Sequence, residues 1–412
     1  MFGLSQIRNI DRIIGRLDDL SKISLTERGV TRLSFTKESE EANRLVSHWM
    51  EEAGMIVRRD ALNNVVGRYE GTQEEAPVLL IGSHLDTVVE AGKYDGILGV
   101  ILGIEAVQIL HEKGIYPKHP IEVIAFCDEE GTRFHTTLLG SRAIAGNFLE
   151  EDLEAVDKDG VTLAKAMREI GMDPSLYRLA ARDPNSILGY LELHIEQGPV
   201  LEKKNQSCSS VSGIAGQSRL EFRVKGSAGH AGTVPVAMRQ DALAGTAEMI
   251  QAVERIALQY ESLVATVGKL NVYPGASNVI PGLVEGALDL RSIDDATREV
   301  ALKRIQEECQ QIANRRKLTC EFHLVMESPA VHCSSHFINI IESVLEEHHM
   351  DPLRLVSGAG HDAMAIAKIV DTGMIFVRCK EGLSHHPDEF ASEEDIEAGL
   401  SVLLNTILKL LA

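Results

Sequence analysis

Two textures of apolar spacing divide the chain. In the first half, short and nearly unbroken apolar runs such as Val78-Leu79-Leu80-Ile81 and Ile121-Glu122-Val123-Ile124-Ala125-Phe126 read as strands buried on both faces. Between them, Glu40 to Glu52 and Gly96 to Lys113 carry apolar residues at helical spacing. These signals alternate from Ile7 to about Val211, which predicts an α/β fold built on a largely parallel sheet flanked by helices. The texture then changes. Strand-like Leu220 to Val224, helical Ala237 to Gln259, strands Val264 to Val272 and Val284 to Leu290, helix Ala296 to Arg315 and strand Thr319 to Met326 predict a compact α+β insert. The charged, turn-rich stretch from Glu150 to Asn185 is expected to be an exposed excursion. No repeat, low-complexity tract or heptad array interrupts the pattern.

At 412 residues the chain has room for a sizeable core and more than one domain. A formal charge of −20 argues against nucleic acid or an anionic membrane as partner, because no basic patch exists to release counterions. Six cysteines, Cys127, Cys208, Cys309, Cys320, Cys333 and Cys379, form no CxxC pair, which suits a reducing compartment. Arg8, Asp11, Arg12 and Arg16 stand at helical spacing near the N-terminus with no apolar export core, and no apolar run reaches membrane-spanning length. The expected location is cytoplasmic.

Metal-binding side chains recur where the buried strands end. His84 and Asp86 lie two apart and so share one side of an extended chain. Asp86 is therefore expected to accept the second imidazole N–H of His84 and orient it, with His84 binding the ion. Asp95 precedes the Gly96 to Lys113 pattern, which puts it at a helix N-terminus, where an anion is favoured. The Ile121 to Phe126 run delivers Glu129 and Glu130 from its C-terminal end, the edge at which open parallel sheets collect ligands. Glu130 is assigned to metal and Glu129 to the general base. Bound ions lower the pKa of water from about 15.7 toward ~7, so the base needs only to stand nearby. His194 in Glu192-Leu193-His194-Ile195-Glu196-Gln197-Gly198-Pro199 and His385 in Ser384-His385-His386-Pro387 complete five ligands. Five suffice for two divalent ions about 3.5–4 Å apart with Asp95 bridging, and N/O donors without thiolate suit zinc or manganese. Singly, each residue has an ordinary reading as a core or surface group; their joint occurrence at strand ends sets them apart. His385 lies beyond the insert yet must meet His84, so the chain is expected to divide into a discontinuous metal-binding domain, 1–212 and 328–412, and an inserted domain, 213–327.

With these motifs in hand, GSHLDTV, YDG, DEEGTRF, ELHIEQGP and SHHP resemble the dinuclear-metal amidohydrolase branch of the M20 aminoacylase and carboxypeptidase family. That branch includes allantoate amidohydrolase, N-carbamoyl-L-amino-acid hydrolase and β-ureidopropionase, and the similarity runs from about Gly29 to the C-terminus. The resemblance implies a zinc-exopeptidase-like catalytic domain interrupted by a lid that also forms a two-fold dimer. It implies metal ligation by His84, Asp95, Glu130, His194 and His385, and acid/base work by Glu129. It also implies substrate contacts from the insert: His230 at the oxyanion, Asn278 at an amide or ureido group, and Arg291 clamping a carboxylate with two parallel N–H bonds. Without it, Arg291 reads rather as a surface partner of Asp289 or Asp294, and His230 as a loop residue of a glycine-rich turn. Gln197 and Gly360 match substrate-contacting positions, and Gln217 either reaches the ligand or caps a strand. His361 and Asp362 suit a proton relay, although an N-cap by Asp362 ahead of Ala363 explains the same residues.

Within the branch, GIAGQSRLEFRVKGSAGHAGTVPVAMRQDALAG, SGAGHDAMAIA and MIFVRC look nearest to allantoate amidohydrolases. The implied reaction takes one ureido group from allantoate, giving ureidoglycine, ammonia and carbon dioxide. The runner-up is an N-carbamoyl-L-amino-acid hydrolase or β-ureidopropionase. Formylaminopyrimidine deformylase, an exopeptidase or aminoacylase with the same metals, and a silent binding homologue stand behind it. The expected partners are a small anionic ureido substrate and a second copy of the chain.

Overall fold

A computed structural model describes residues 10–412, so Ile7 and Arg8 fall outside the described residues. The chain forms two compact units, one running through Ser212 and resuming at Cys333–Ala412, the other Gly213–His332. The second crossing thus comes at His332 and not at 327. Strand Thr319–Ser328 runs past the expected end, and Val331–His332 then pairs antiparallel with Gly213–Ile214.

The first unit is built on a sheet whose spatial order is Ile56–Arg59, Val65–Tyr69, Ile121–Phe126, Val78–His84, Ile187–Ile195, Thr372–Val377 and Cys208–Ile214. Its four middle strands, from Ile121–Phe126 to Thr372–Val377, are mutually parallel, and the flanking strands are antiparallel. Parallel strands need both faces covered. Accordingly Val78–His84 and Ile121–Phe126 are buried throughout. The helix Ile97–Glu112 is buried from Ile97 to Leu110, as its nearly all-apolar sequence requires. The helix Lys37–Glu52 starts with a capping box in which Thr36 and Ser39 satisfy each other's backbone N–H groups.

The segment from Glu150 to Asn185 is not the exposed excursion its charge suggested. Its short helices, Glu150–Glu154, Leu163–Glu169 and Pro174–Ala180, bury Leu153, Leu163, Met167 and Tyr177 in a satellite core with Phe35, Phe134 and Phe148. Charged residues there cover an apolar underside too short to show a clear period.

The second unit is a four-stranded antiparallel sheet in the order Thr319–Ser328, Gly216–Lys225, Leu283–Ser292, Leu263–Tyr273, with the helices Ala242–Ala257 and Asp295–Arg316 sharing its core. The expected helix over 237–259 is shorter, since Val236–Met238 is a separate 3₁₀ turn and Asp241 caps the true start. Among the described residues no helix is long and apolar enough to cross a membrane, and all six cysteines are free.

Candidate metal centre

Because the middle strands are parallel, their C-terminal ends lie along one edge. His84 ends its strand, opposite Phe126, and His194 is the penultimate residue of Ile187–Ile195. Glu129 and Glu130 follow Phe126 after Cys127 and Asp128, Asp95 enters the Ile97–Glu112 helix through Gly96, and His385 sits in the loop after Thr372–Val377. Gly96 has φ +69°, and a Cβ there would stand 2.3 Å from His84 Nε2. Only glycine admits the imidazole so close to that turn.

Two groups of donor atoms result, His84/Asp95/His194 and Asp95/Glu130/His385, each with ligand atoms within 4.8 Å of one another. Asp95 belongs to both: its Oδ1 lies 3.1 Å from His194 Nε2 and 3.9 Å from His84 Nε2, and its Oδ2 lies 3.2 Å from His385 Nε2. His385 Nε2 is 3.4 Å from Glu130 Oε1. The other ring nitrogens explain the orientation. His84 Nδ1 is 2.9 Å from the Asp86 carbonyl and His194 Nδ1 is 2.9 Å from the Ile195 carbonyl, so each Nδ1 donates and each Nε2 is the nitrogen turned toward the place of an ion. His194 Nε2 is buried and makes no hydrogen bond of acceptable geometry, which is what a metal ligand would show. The residues fit a divalent ion in each group.

Charge tells the same story. Burial alone would raise the Asp95 carboxyl, yet His194, His385 and His84 hold it well below the usual carboxylate range. His194, despite burial, is raised to about 9 by Asp95, and His385 to about 10 by Asp95 and Glu130. Protons held this firmly occupy positions a cation can take, with proton release on binding.

Asp86 does something other than expected. Its carboxylate oxygen is 3.9 Å from His84 Nδ1, too far for the orienting bond, which the Asp86 carbonyl makes instead. The two carboxylate oxygens accept the backbone N–H groups of Glu129 and Glu130, each at 3.0 Å. Asp86 therefore sets the turn that aims the two glutamates. Glu129 is buried, with Oε2 3.8 Å from His84 Nε2, and burial together with Glu130, Asp362 and Asp86 pushes its carboxyl well above the ordinary value. A Cβ on Gly360 would stand 3.9 Å from Glu129 Oε1, so Gly360 leaves space beside that group. Gln197 donates to Asp95 Oδ2 at 3.0 Å and to Ser384 Oγ at 3.1 Å.

The expected pairing of His361 with Asp362 is absent. His361 Nε2 lies 2.7 Å from Ser357 Oγ with its ring 4.4 Å from that of His194, and burial pushes it well below the usual imidazole range. Asp362 makes no side-chain cap either; Ala363 N–H goes to Glu192 Oε2 at 2.9 Å, while Glu192 Oε1 accepts from Ser83. Glu192, like Ser384 and Glu389, was not singled out from the sequence. Glu192 was findable, since it stands two residues before His194 on a strand and so shares its face.

In the second unit, His230 pairs with Val279 in a two-residue ladder next to Asn278, whose carbonyl accepts Ala231 N–H; both side chains are exposed. Gly232 N–H donates to His230 Nδ1 at 3.0 Å, leaving Nε2–H as a donor in the neutral ring. Arg291 donates to Asp289 at 2.8 and 3.3 Å, the ion pair offered as its alternative role. Gln217 also bonds Asp289, from the neighbouring strand.

A model of peptidase family M20/M25/M40 matches residues 80–409. The chain is 43% identical over 404 residues to an N-carbamoyl-L-amino-acid amidohydrolase of Pseudomonas sp. (strain NS671), covering 97% of this chain and 98% of that one. It is 42% identical over 426 residues to allantoate deiminase 1 of Glycine max, with 95% and 88% coverage. A crystal structure of an amidase of the hydantoinase/carbamoylase family from Burkholderia multivorans superposes with a TM-score of 0.92 at 34% identity, covering 98% of both chains.

Proposed function

This chain belongs to peptidase family M20/M25/M40, a family of metal-dependent enzymes, and from that premise we propose that it hydrolyses the C–N bond of a ureido group on a small anionic substrate, with allantoate as the substrate. The observation that carries the reading is the pair of three-residue ligand groups meeting at Asp95 with Glu129 beside them. Two divalent ions, manganese or zinc, held by His84, Asp95, Glu130, His194 and His385, would supply Lewis-acid polarisation and a nucleophilic water.

The remaining work falls to the chain. Glu129, not counted among the ligands and fixed through its backbone by Asp86, takes the proton of the attacking water and passes it to the leaving nitrogen. His230 offers Nε2–H to the oxyanion, Asn278 its amide to the ureido group, and Arg291 a guanidinium to the substrate carboxylate. For Arg291 this means sharing its donors with Asp289. Gln197 and Gly360 border the same centre and shape the space beside Asp95 and Glu129. With water consumed, allantoate gives ureidoglycine, ammonia and carbon dioxide.

N-Carbamoyl-L-amino acids are the second reading, favoured by the near-equal similarity to the Pseudomonas enzyme over almost its whole length. They offer the same ureido group and carboxylate. The deciding measurement is a side-by-side rate comparison with added manganese on allantoate, N-carbamoyl-L-amino acids, β-ureidopropionate and a dipeptide. Allantoate should release ammonia fastest; turnover confined to N-carbamoyl-L-amino acids would transfer the assignment to the second reading.

A further inference from the structure

Glu389 is only 4% exposed and belongs to neither ligand group, yet its carboxylate joins them. Its Oε1 accepts the backbone N–H groups of Tyr94 and Asp95, each at 3.0 Å, and its Oε2 accepts from Ser384 Oγ at 2.9 Å. Gly92 admits this contact, because a Cβ there would lie 2.4 Å from both Cβ and Oε1 of Glu389. Ser384 Oγ in turn lies 3.0 Å from Asp95 Oδ2, the oxygen facing His385. The Tyr94 ring stands edge-on to Phe390 at 6.3 Å, so the two loops also pack beside the carboxylate.

Resting on the reading of Asp95 and His385 as ligands of one cluster, we propose that Glu389 is a positioning residue that presets the separation of these two ligands. Three hydrogen bonds to one carboxylate tie the backbone turn at 94–95 to the residue immediately before His385. Tyr94 and Asp95 are buried, so no solvent stands ready to replace the acceptor. A carboxylate suits this role because its two oxygens accept in two directions at once.

Manganese titration of the metal-stripped full chain by calorimetry, alongside thermal unfolding of the stripped proteins, tests the assignment. Wild type comes first: failure of the unmodified chain to bind manganese refutes the ligand cluster itself. Given wild-type binding, Glu389→Ala should lower manganese affinity about 10–100-fold. Glu389→Gln should recover most of it, because its amide oxygen still accepts from Tyr94 and Asp95 while its NH2 donates to Ser384. The stripped proteins should melt within a few degrees of one another. A wild-type isotherm for Glu389→Ala overturns the proposal, and so do equal losses for the Gln and Ala variants. Should Glu389→Ala not fold, Ser384→Ala decides. Of the three bonds to Glu389 it removes only the one at Oε2, together with the Ser384 contacts to Gln197 and Asp95, and it should bind manganese several-fold more weakly; unchanged affinity overturns the proposal.

Discussion

Three non-glycine residues in or beside the candidate centre have left-handed backbone: Asp128, which precedes Glu129, at φ 57°, Gln197 at 54° and His385 at 55°. Each non-glycine residue there carries a cost on the order of 1–2 kcal/mol, so neighbouring bonds must hold it. Asp86 holds the backbone that follows Asp128, Gln197 is held through Asp95 and Ser384, and His385 stands between Asp95 and Glu130. Spacing alone pointed to the five candidate ligands, which the fold brings together, and to Glu129 beside them, because histidines and carboxylates at strand ends are a local signal. It missed Glu389 and misassigned the bond made by Asp86, because accepting distant backbone N–H groups leaves no local trace. The role of Glu129 is testable at this scale. Glu129→Gln removes a proton acceptor but none of the ligands, so turnover should fall roughly 10²–10⁴-fold while metal content by elemental analysis stays at the wild-type value. Unchanged turnover would put the base elsewhere.

Elements are placed by what each buries. The helix Ile97–Glu112 is legible because it is apolar on every side, and its N-terminus carries Asp95 to the sheet edge. The first described helix, Ile10–Ser21, anchors to it through Arg12 and Arg16, both paired with the fully buried carboxylate of Glu105. The 150–185 segment misled because its apolar residues are too few per helix to form a period. A comparable long-range contact gives a pH-dependent prediction. His348 caps the helix Ser335–Glu347 and places Nε2 3.2 Å from Asn405 Nδ2 and 3.3 Å from Ser401 Oγ on the helix Glu393–Leu410. As an acceptor from Asn405 it must be neutral, and burial, aided by His349 and opposed by Glu347, lowers its pKa below 6.5. The unfolded chain therefore binds this proton first as pH falls. The stabilisation is complete above about pH 6.5 and is lost as pH drops through the lower folded value. Melting temperatures of wild type and His348→Gln should differ at pH 7.5 and converge toward pH 5; a gap that holds or widens would remove His348 from the contact.

At the scale of the molecule, candidate ligands from five segments meet only after the sheet has formed, so ion binding should stabilise the fold as well as enable chemistry. Chelation should abolish ammonia release and lower the melting temperature, and readded manganese at 100 times its Kd should return about 2.7 kcal/mol of stability. Hydrolysis that survives complete metal removal would sink the two-ion reading. By itself the sequence determined the buried strands, the main helices, the change of texture near residue 213 and the identity of the ligand-type side chains, since apolar period and strand-end chemistry are written in neighbouring residues. Tertiary structure alone decided that Asp95 faces both ligand groups, that Asp86 serves the glutamate turn, and that Glu389 ties residue 95 to residue 384. Those are distances between groups remote in the chain, and they exist only once burial in the folded core has removed water as the alternative partner.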